Sequence, residues 1–178
     1  MTLINYQEPD KKRAAVCGLF CPSCSLFIGS NEDPEMLQQL AEKRQCSVED
    51  LKCHGCRSEQ LSFFCREKCT MKQCAAEKEI DFCGECPEYP CDELQSFQAL
   101  MPHRIELWES HQRIQDVGYE KWYLEKLEHY ACPECHTINQ IYSSSCRKCG
   151  NSPSSNYFDR HQAEIHSYLA KQQNNPKF

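Results

Sequence analysis

Ten of the sixteen cysteines in this chain fall into five Cys-x-x-Cys pairs. They are Cys21/Cys24, Cys53/Cys56, Cys83/Cys86, Cys132/Cys135 and Cys146/Cys149. A two-residue gap lets both sulfurs of a tight turn face one ion, while backbone N–H groups of the turn donate to the thiolates. The chemistry this pattern predicts is metal ligation. The other use of sixteen cysteines is a disulfide framework, which needs an oxidising compartment and normally a secretory signal. The first residues, Met1 to Arg13, contain no apolar run and no cleavage signature. No stretch approaches the roughly 18 apolar residues of a membrane span. The expectation is a reduced, cytoplasmic protein with metal thiolates and no membrane contact.

Cys132, Cys135, Cys146 and Cys149 make the sharpest pattern, two turns ten residues apart. Proline follows the first cysteine and glycine follows the last, as tight knuckles require. This reads as a short zinc ribbon. Four thiolates close the coordination sphere, so its ion is structural. His136 is surplus to that set and reads as a surface residue.

The remaining twelve cysteines run Cys17, Cys21, Cys24, Cys46, Cys53, Cys56, Cys65, Cys69, Cys74, Cys83, Cys86 and Cys91. Cys46 lies where a small buried apolar residue is expected and is read as packing. The others form a ligand pool. One site is expected near Cys21/Cys24 with Cys53/Cys56, and a second at Cys83/Cys86 with two of Cys65, Cys69, Cys74 and Cys91. With the ribbon, the whole chain would hold about three zinc ions. His54, inside Cys53-His54-Gly55-Cys56, is not expected to share the ion its neighbours bind.

Cys17-x3-Cys21-x2-Cys24 also has the spacing that holds a 4Fe–4S cluster in radical S-adenosylmethionine enzymes. Those enzymes need a long series of βα units, which this chain lacks. An iron–sulfur cluster without that chemistry is the alternative cofactor. Acid–base candidates are weak. Glu106, Glu109, Glu125 and Glu128 sit in helical pattern and read as solvated faces. No Ser-His-Asp set or phosphate-cradling glycine loop is visible, so no catalytic residue is assigned.

Helices must carry these turns. Asp33-Pro34 is an N-cap followed by proline at the first helical position. Ser47-Val48-Glu49-Asp50 resembles a capping box. The stretch 34–51 is therefore a helical spacer between two cysteine turns. Glu67–Glu79 is expected to hold one helix. Leu94, Phe97, Met101, Ile105 and Trp108 recur at helical spacing, with Pro102 kinking or dividing that helix. Gly118 marks a stop, and Tyr119–Tyr130 makes the next helix. Ile141 and Tyr142 fit a short strand. Phe158, His161, Ile165, Tyr168 and Leu169 mark a final amphipathic helix. Between Cys53 and Cys91 large apolar residues are few, so ligation must supply much of that segment's folding free energy.

The formal charge is −6, and two or three four-thiolate zinc sites would bring it to roughly −10 to −12. That balance argues against sequence-independent nucleic-acid binding. Arg66, Lys68 and Lys72 are read as solvated surface and as donors to thiolates.

The runs Ala15-Val16-Cys17-Gly18-Leu19-Phe20-Cys21-Pro22-Ser23-Cys24, Leu51-Lys52-Cys53-His54-Gly55-Cys56, Cys69-x4-Cys74 and Phe82-Cys83-Gly84-Glu85-Cys86-Pro87-Glu88-Tyr89-Pro90-Cys91 recur in order. Together they resemble domain of unknown function 3795, an uncharacterised family of small cysteine-rich bacterial and archaeal proteins. The resemblance runs over about residues 13–130, and some members look as if they carry a C-terminal zinc ribbon. It implies a prokaryotic, bacterial, cytoplasmic metal-binding protein and no particular activity.

The expected fold is a small metal-stabilised α-rich (α+β) protein. An arm (1–13) leads into a cysteine-rich metal-binding domain (14–92), a helical segment packing on it (93–130), the ribbon (131–152) and a C-terminal helix (153–178). The expected role is a zinc-binding structural or interaction module with an unidentified protein partner. Two alternatives are an enzyme or redox protein with an iron–sulfur or open zinc site, and a nucleic-acid factor working through the ribbon.

Overall fold

The computed structural model describes residues 6–174. Residues 1–5 of the expected arm and 175–178 of the expected terminal segment lie outside the described residues. The fold is helix-rich: α1 Ser25–Asn31, α2 Pro34–Arg44, α3 Val48–Leu51, α4 Phe63–Glu67, α5 Thr70–Glu77, α6 Asp92–Ala99, α7 Leu107–Val117, α8 Tyr119–Tyr130 and α9 Asn156–Asn174. Four single 3-10 turns join them, at Lys11–Arg13, Cys21–Ser23, Cys83–Glu85 and Pro102–Arg104. Among the described residues the β component of the expected α+β class reduces to two isolated bridges, Ala14 with Phe20 and Ala131 with Ile138.

The local rules account for most helix ends. Asp33 Oδ1 accepts from Met36 N at 3.0 Å and opens α2, as an N-cap should. Ser47 and Asp50 bond each other's backbone N–H in a full capping box at the start of α3. Gly118, at φ 82°, both ends α7 and starts α8, a left-handed turn that a side chain would strain. Arg113 on α7 then grips Glu125 on α8 through two bonds of 2.7 and 2.6 Å.

The one helix expected within 67–79 is α5, and Cys69, in extended backbone, is its N-cap. Pro102 divides α6 from α7 and heads a 3-10 turn of its own. One expectation is corrected. Ile141 and Tyr142 lie in a turn, where the Gln140 side chain accepts from Tyr142 N at 3.3 Å, and not in a strand.

The principal core gathers Phe20, Trp122, Tyr123, Tyr130, Ile138 and Tyr157, with Ile165 behind them. Phe20 comes from the first cysteine turn, Ile138 from the Cys132–Cys149 segment, and Tyr157 and Ile165 from α9. Phe20, Tyr130 and Tyr157 stack in a ladder with centroids 5.5 and 4.9 Å apart. Each large side chain so buried contributes roughly 1.5–3 kcal/mol, and aromatic pairing adds about 0.5–1.5 kcal/mol. A second cluster, around Val16, Met71, Leu94 and Leu107, carries six of the N-terminal cysteines in or against it. A third joins Leu26 of α1 to Leu37, Ala41 and Leu51 of α2 and α3, with Cys46 packed against it. Of the expected loose arm, Tyr6 packs against the principal core, and Arg13 Nη1 donates to Tyr123 Oη at 3.3 Å.

Glu106 overturns the solvated-face reading. It is 4% exposed and accepts from Lys126 Nζ at 2.5 Å, from His129 and His161 Nε2 at 2.9 Å each, and from Arg160 at 3.2 Å. Desolvation alone would raise its carboxyl. The hydrogen bond from His129 and the Lys126 ammonium outweigh that and hold it well below the usual carboxylate range. Glu109 and Glu128 are exposed and Glu125 is half-buried.

Candidate metal centre

Cys132, Cys135, Cys146 and Cys149 come together with their sulfurs all within 4.8 Å of one another. Two knuckles with the same backbone pattern deliver them. In the first, Cys132 N donates to Thr137 O at 2.9 Å and Cys132 O accepts from His136 N at 3.0 Å. In the second, Cys146 N donates to Asn151 O at 2.8 Å and Cys146 O accepts from Gly150 N at 3.0 Å. The fifth residue of each knuckle is left-handed, Gly150 at φ 75° and His136 at φ 55°. His136 therefore occupies, exposed, the position that glycine takes in the sister turn.

Sγ of Cys132 lies 3.6 Å from that of Cys149, and Sγ of Cys135 lies 3.6 Å from that of Cys146. A tetrahedron with Zn–S bonds of about 2.3 Å has an edge of about 3.8 Å. Polar groups already face the sulfurs. Lys148 N donates to Cys146 Sγ at 3.5 Å, and the Thr137 hydroxyl lies 3.3 Å from Cys135 Sγ. Desolvation pushes the Cys146 thiol up, yet the N–H groups of Cys149 and Lys148 together with the Asn139 side chain bring it down to about 6. The Thr137 hydroxyl and backbone lower Cys135. Cys149 accepts a lowering bond from Asn151, but the Cys135 thiol, desolvation and the Cys132 and Cys146 thiols hold it up at about 12. One sulfur ionises readily and its neighbour then resists, and a cation among the four removes that resistance.

Asn139 and Arg147 fix this arrangement, and the sequence reading missed both. Asn139 is 1% exposed. Its Nδ2 donates to Thr137 O and Ser154 O, each at 2.9 Å, and its Oδ1 accepts from Arg147 N at 3.0 Å. One amide thus ties both knuckles to the segment entering α9. Arg147 Nε donates to Ile138 O at 3.0 Å, and its Nη2 pairs with Glu32 at the end of α1. Neither residue type announces such a role, because Asn and Arg beside a cysteine turn read as solvent-facing.

The N-terminal pool is placed differently. Cys21 and Cys24 bracket one 3-10 turn and Cys83 and Cys86 another; Cys69 and Cys91 are helix N-caps; Cys65 and Cys74 lie within α4 and α5. Among the described residues, the Cys132, Cys135, Cys146 and Cys149 quartet is the group of three or more ligand atoms meeting within 4.8 Å. The thiols still fall into neighbourhoods. Cys17 is flanked by Cys56, Cys69 and Cys83. Cys65 is flanked by Cys53, Cys24 and Cys69. Cys83 is flanked by Cys91, Cys74, Cys69 and Cys86. Cys21 feels the charges of Cys56, Cys53 and Cys24. Burial pushes the Cys17 and Cys21 thiols well up and brings Cys65 and Cys83 up to about 12. His54 Nδ1 instead meets Asn31 Oδ1 at 2.7 Å.

Two of these turns clasp one side chain. His111 of α7 is 1% exposed, and neither ring nitrogen has a hydrogen-bond partner. A Cβ at Gly18 would stand 2.7 Å from its Cδ2, and one at Gly84 would stand 3.1 Å from its Cβ. Cys83 N donates to Val16 O at 2.8 Å and closes the clasp. Desolvation brings His111 down to about 4, with the Cys17 backbone pulling the other way without reaching hydrogen-bond geometry.

Residues 13–96 match the model of a cysteine-rich family described as "Protein of unknown function (DUF3795)". The match ends short of residue 130, where the resemblance read from the sequence ends, and the quartet at Cys132–Cys149 lies beyond it. No curated protein and no solved structure shows significant similarity to the chain. No helix among the described residues is long and apolar enough to cross a membrane.

Proposed function

We propose that this is a zinc-binding protein of the bacterial cytoplasm in which Cys132, Cys135, Cys146 and Cys149 form a structural zinc ribbon. The ribbon stiffens the surface between α8 and α9 for contact with a protein partner. The observation carrying the zinc assignment is the pair of 3.6 Å sulfur separations, which match the tetrahedral edge of about 3.8 Å. Four sulfurs leave no open position, which favours an architectural ion over a catalytic one. The chain's net charge of −6 favours a protein partner over nucleic acid.

Elemental analysis of the anaerobically purified full chain tests the reading. The Cys132→Ser, Cys149→Ser double variant is expected to hold one zinc equivalent fewer than the parent. An unchanged zinc content would sink the assignment.

A further inference from the structure

A cavity of about 80 Å³ opens between α5, the Cys83–Glu85 turn and the start of α6. Four cysteines line it: Cys74 from α5, Cys83 and Cys86 from the two ends of the turn, and Cys91 from the N-cap of α6. Met71 and Leu94, 5% and 1% exposed, lie in its wall. Lys78, also in the lining, donates to Cys86 Sγ at 3.3 Å and pairs with Glu88 at 3.0 Å.

We propose that Cys74, Cys83, Cys86 and Cys91 hold a second four-thiolate metal centre, independent of the ribbon, with Lys78 as its counter-charge. Cys83-Gly84-Glu85-Cys86 is a tight knuckle, closed by Cys86 N donating to Cys83 O at 3.2 Å, so both of its sulfurs turn to one side. Cys91 and Cys74 approach the same space from two separate helices. Four soft ligands around one small cavity select a thiophilic metal over magnesium or calcium, which take oxygen. Lys78 supplies what such a set lacks, a cation donating to a sulfur, as outer partners of thiolate centres do. The four sulfurs stand wider apart than the ribbon's quartet, which meets within 4.8 Å. A single zinc draws four thiolates to one point, whereas a 4Fe–4S cluster takes four thiolates set wider apart. Both occupants use the same four-thiolate chemistry.

The test is thiol footprinting of the full chain, purified anaerobically and treated with N-ethylmaleimide before and after chelation. Cys74 is exposed and Cys86 and Cys91 are half-buried, so unligated they would label readily. The expected result is that these three label at least about tenfold more slowly in the metal-replete protein, and become reactive together when metal is removed. Rapid labelling of Cys74 and Cys91 in the replete protein overturns the proposal. Lys78→Gln, a substitution on an exposed stretch, should weaken metal retention at this centre by about tenfold and leave the ribbon's unchanged. Equal retention in parent and variant would remove Lys78 from the centre. A colourless protein whose released metal is zinc identifies a single ion; a visible chromophore with iron and acid-labile sulfide identifies a cluster. An unchanged zinc content in the Cys132→Ser, Cys149→Ser variant, with these cysteines still protected, would defeat the ribbon assignment and leave this one standing.

Discussion

The Cys132–Cys149 segment and the N-terminal cysteine region use the same Cys-x-x-Cys spacing to different effect. In the ribbon, eighteen consecutive residues, Cys132 to Cys149, supply all four sulfurs. Asn139, Arg147 and Thr137 hold them in place through hydrogen bonds of their own. Ile138 and Ile141 anchor the turns in the principal core. In the N-terminal region the thiols arrive from two 3-10 turns, α4, α5, α6 and the segments between them, and the buried clusters behind them are smaller. A site assembled locally can be organised by its own backbone. A site assembled from distant elements leans on the metal to bring those elements to one point.

The largest test of that contrast is metal removal. Chelation is expected to cost the N-terminal region on the order of 10 kcal/mol of folding free energy, read as loss of amide-exchange protection across residues 53–91. Protection in α7 and α8, which the aromatic ladder supports, should persist. Simultaneous loss in both regions would erase the distinction. A smaller effect isolates the metal-independent side. Glu106→Gln leaves Lys126 and two histidines facing a neutral amide, and should lower unfolding stability by about 3 kcal/mol with metal content unchanged. A destabilisation within about 0.5 kcal/mol would mean that the ion network is ornamental to α7, α8 and α9.

The smallest effect concerns acid. His103 Nε2 accepts from Arg104 Nε at 3.1 Å, which leaves Nδ1–H to donate to Tyr142 Oη at 2.7 Å. Desolvation and the Arg104 guanidinium hold this imidazole at about 3, below its ordinary 6.5. Its folded value lies below its unfolded one, so between those two values the unfolded chain binds the extra proton. Stability is therefore lost as pH falls below about 6.5, by roughly 2 kcal/mol at about pH 5. His103→Gln should flatten that part of the pH profile in urea melts. A variant as acid-sensitive as the parent would show that the loss comes from other groups, buried His111 or the thiolates.

What the sequence makes legible follows the same divide. Asp33-Pro34, Ser47–Asp50 and Gly118 act through neighbours one to four residues away, so the ends of α2, α3 and α7 could be read directly. The ribbon quartet was legible because spacing alone nearly determines a knuckle. Glu106 was not legible. Its partners Lys126, His129 and His161 lie 20 to 55 positions away, and a carboxylate in a helical pattern gives no sign of facing inward. The grouping of Cys65 with Cys53 and Cys24 was hidden likewise, since three-dimensional proximity and not spacing puts them together. Asn139 has no local signature at all; its three bonds exist only once both knuckles are in place.

The position of Phe20 bears on how the chain is made. It sits between Cys17 and Cys21, yet its stacking partners are Tyr130 and, through Tyr130, Tyr157. During synthesis the first cysteine turn leaves the ribosome long before the residues that seal it against the core. Domains generally fold as units once enough chain has emerged, and here that unit closes only when α9 is out. Until then the first cysteine turn lacks the aromatic packing that seals it, and its thiols stay open to solvent.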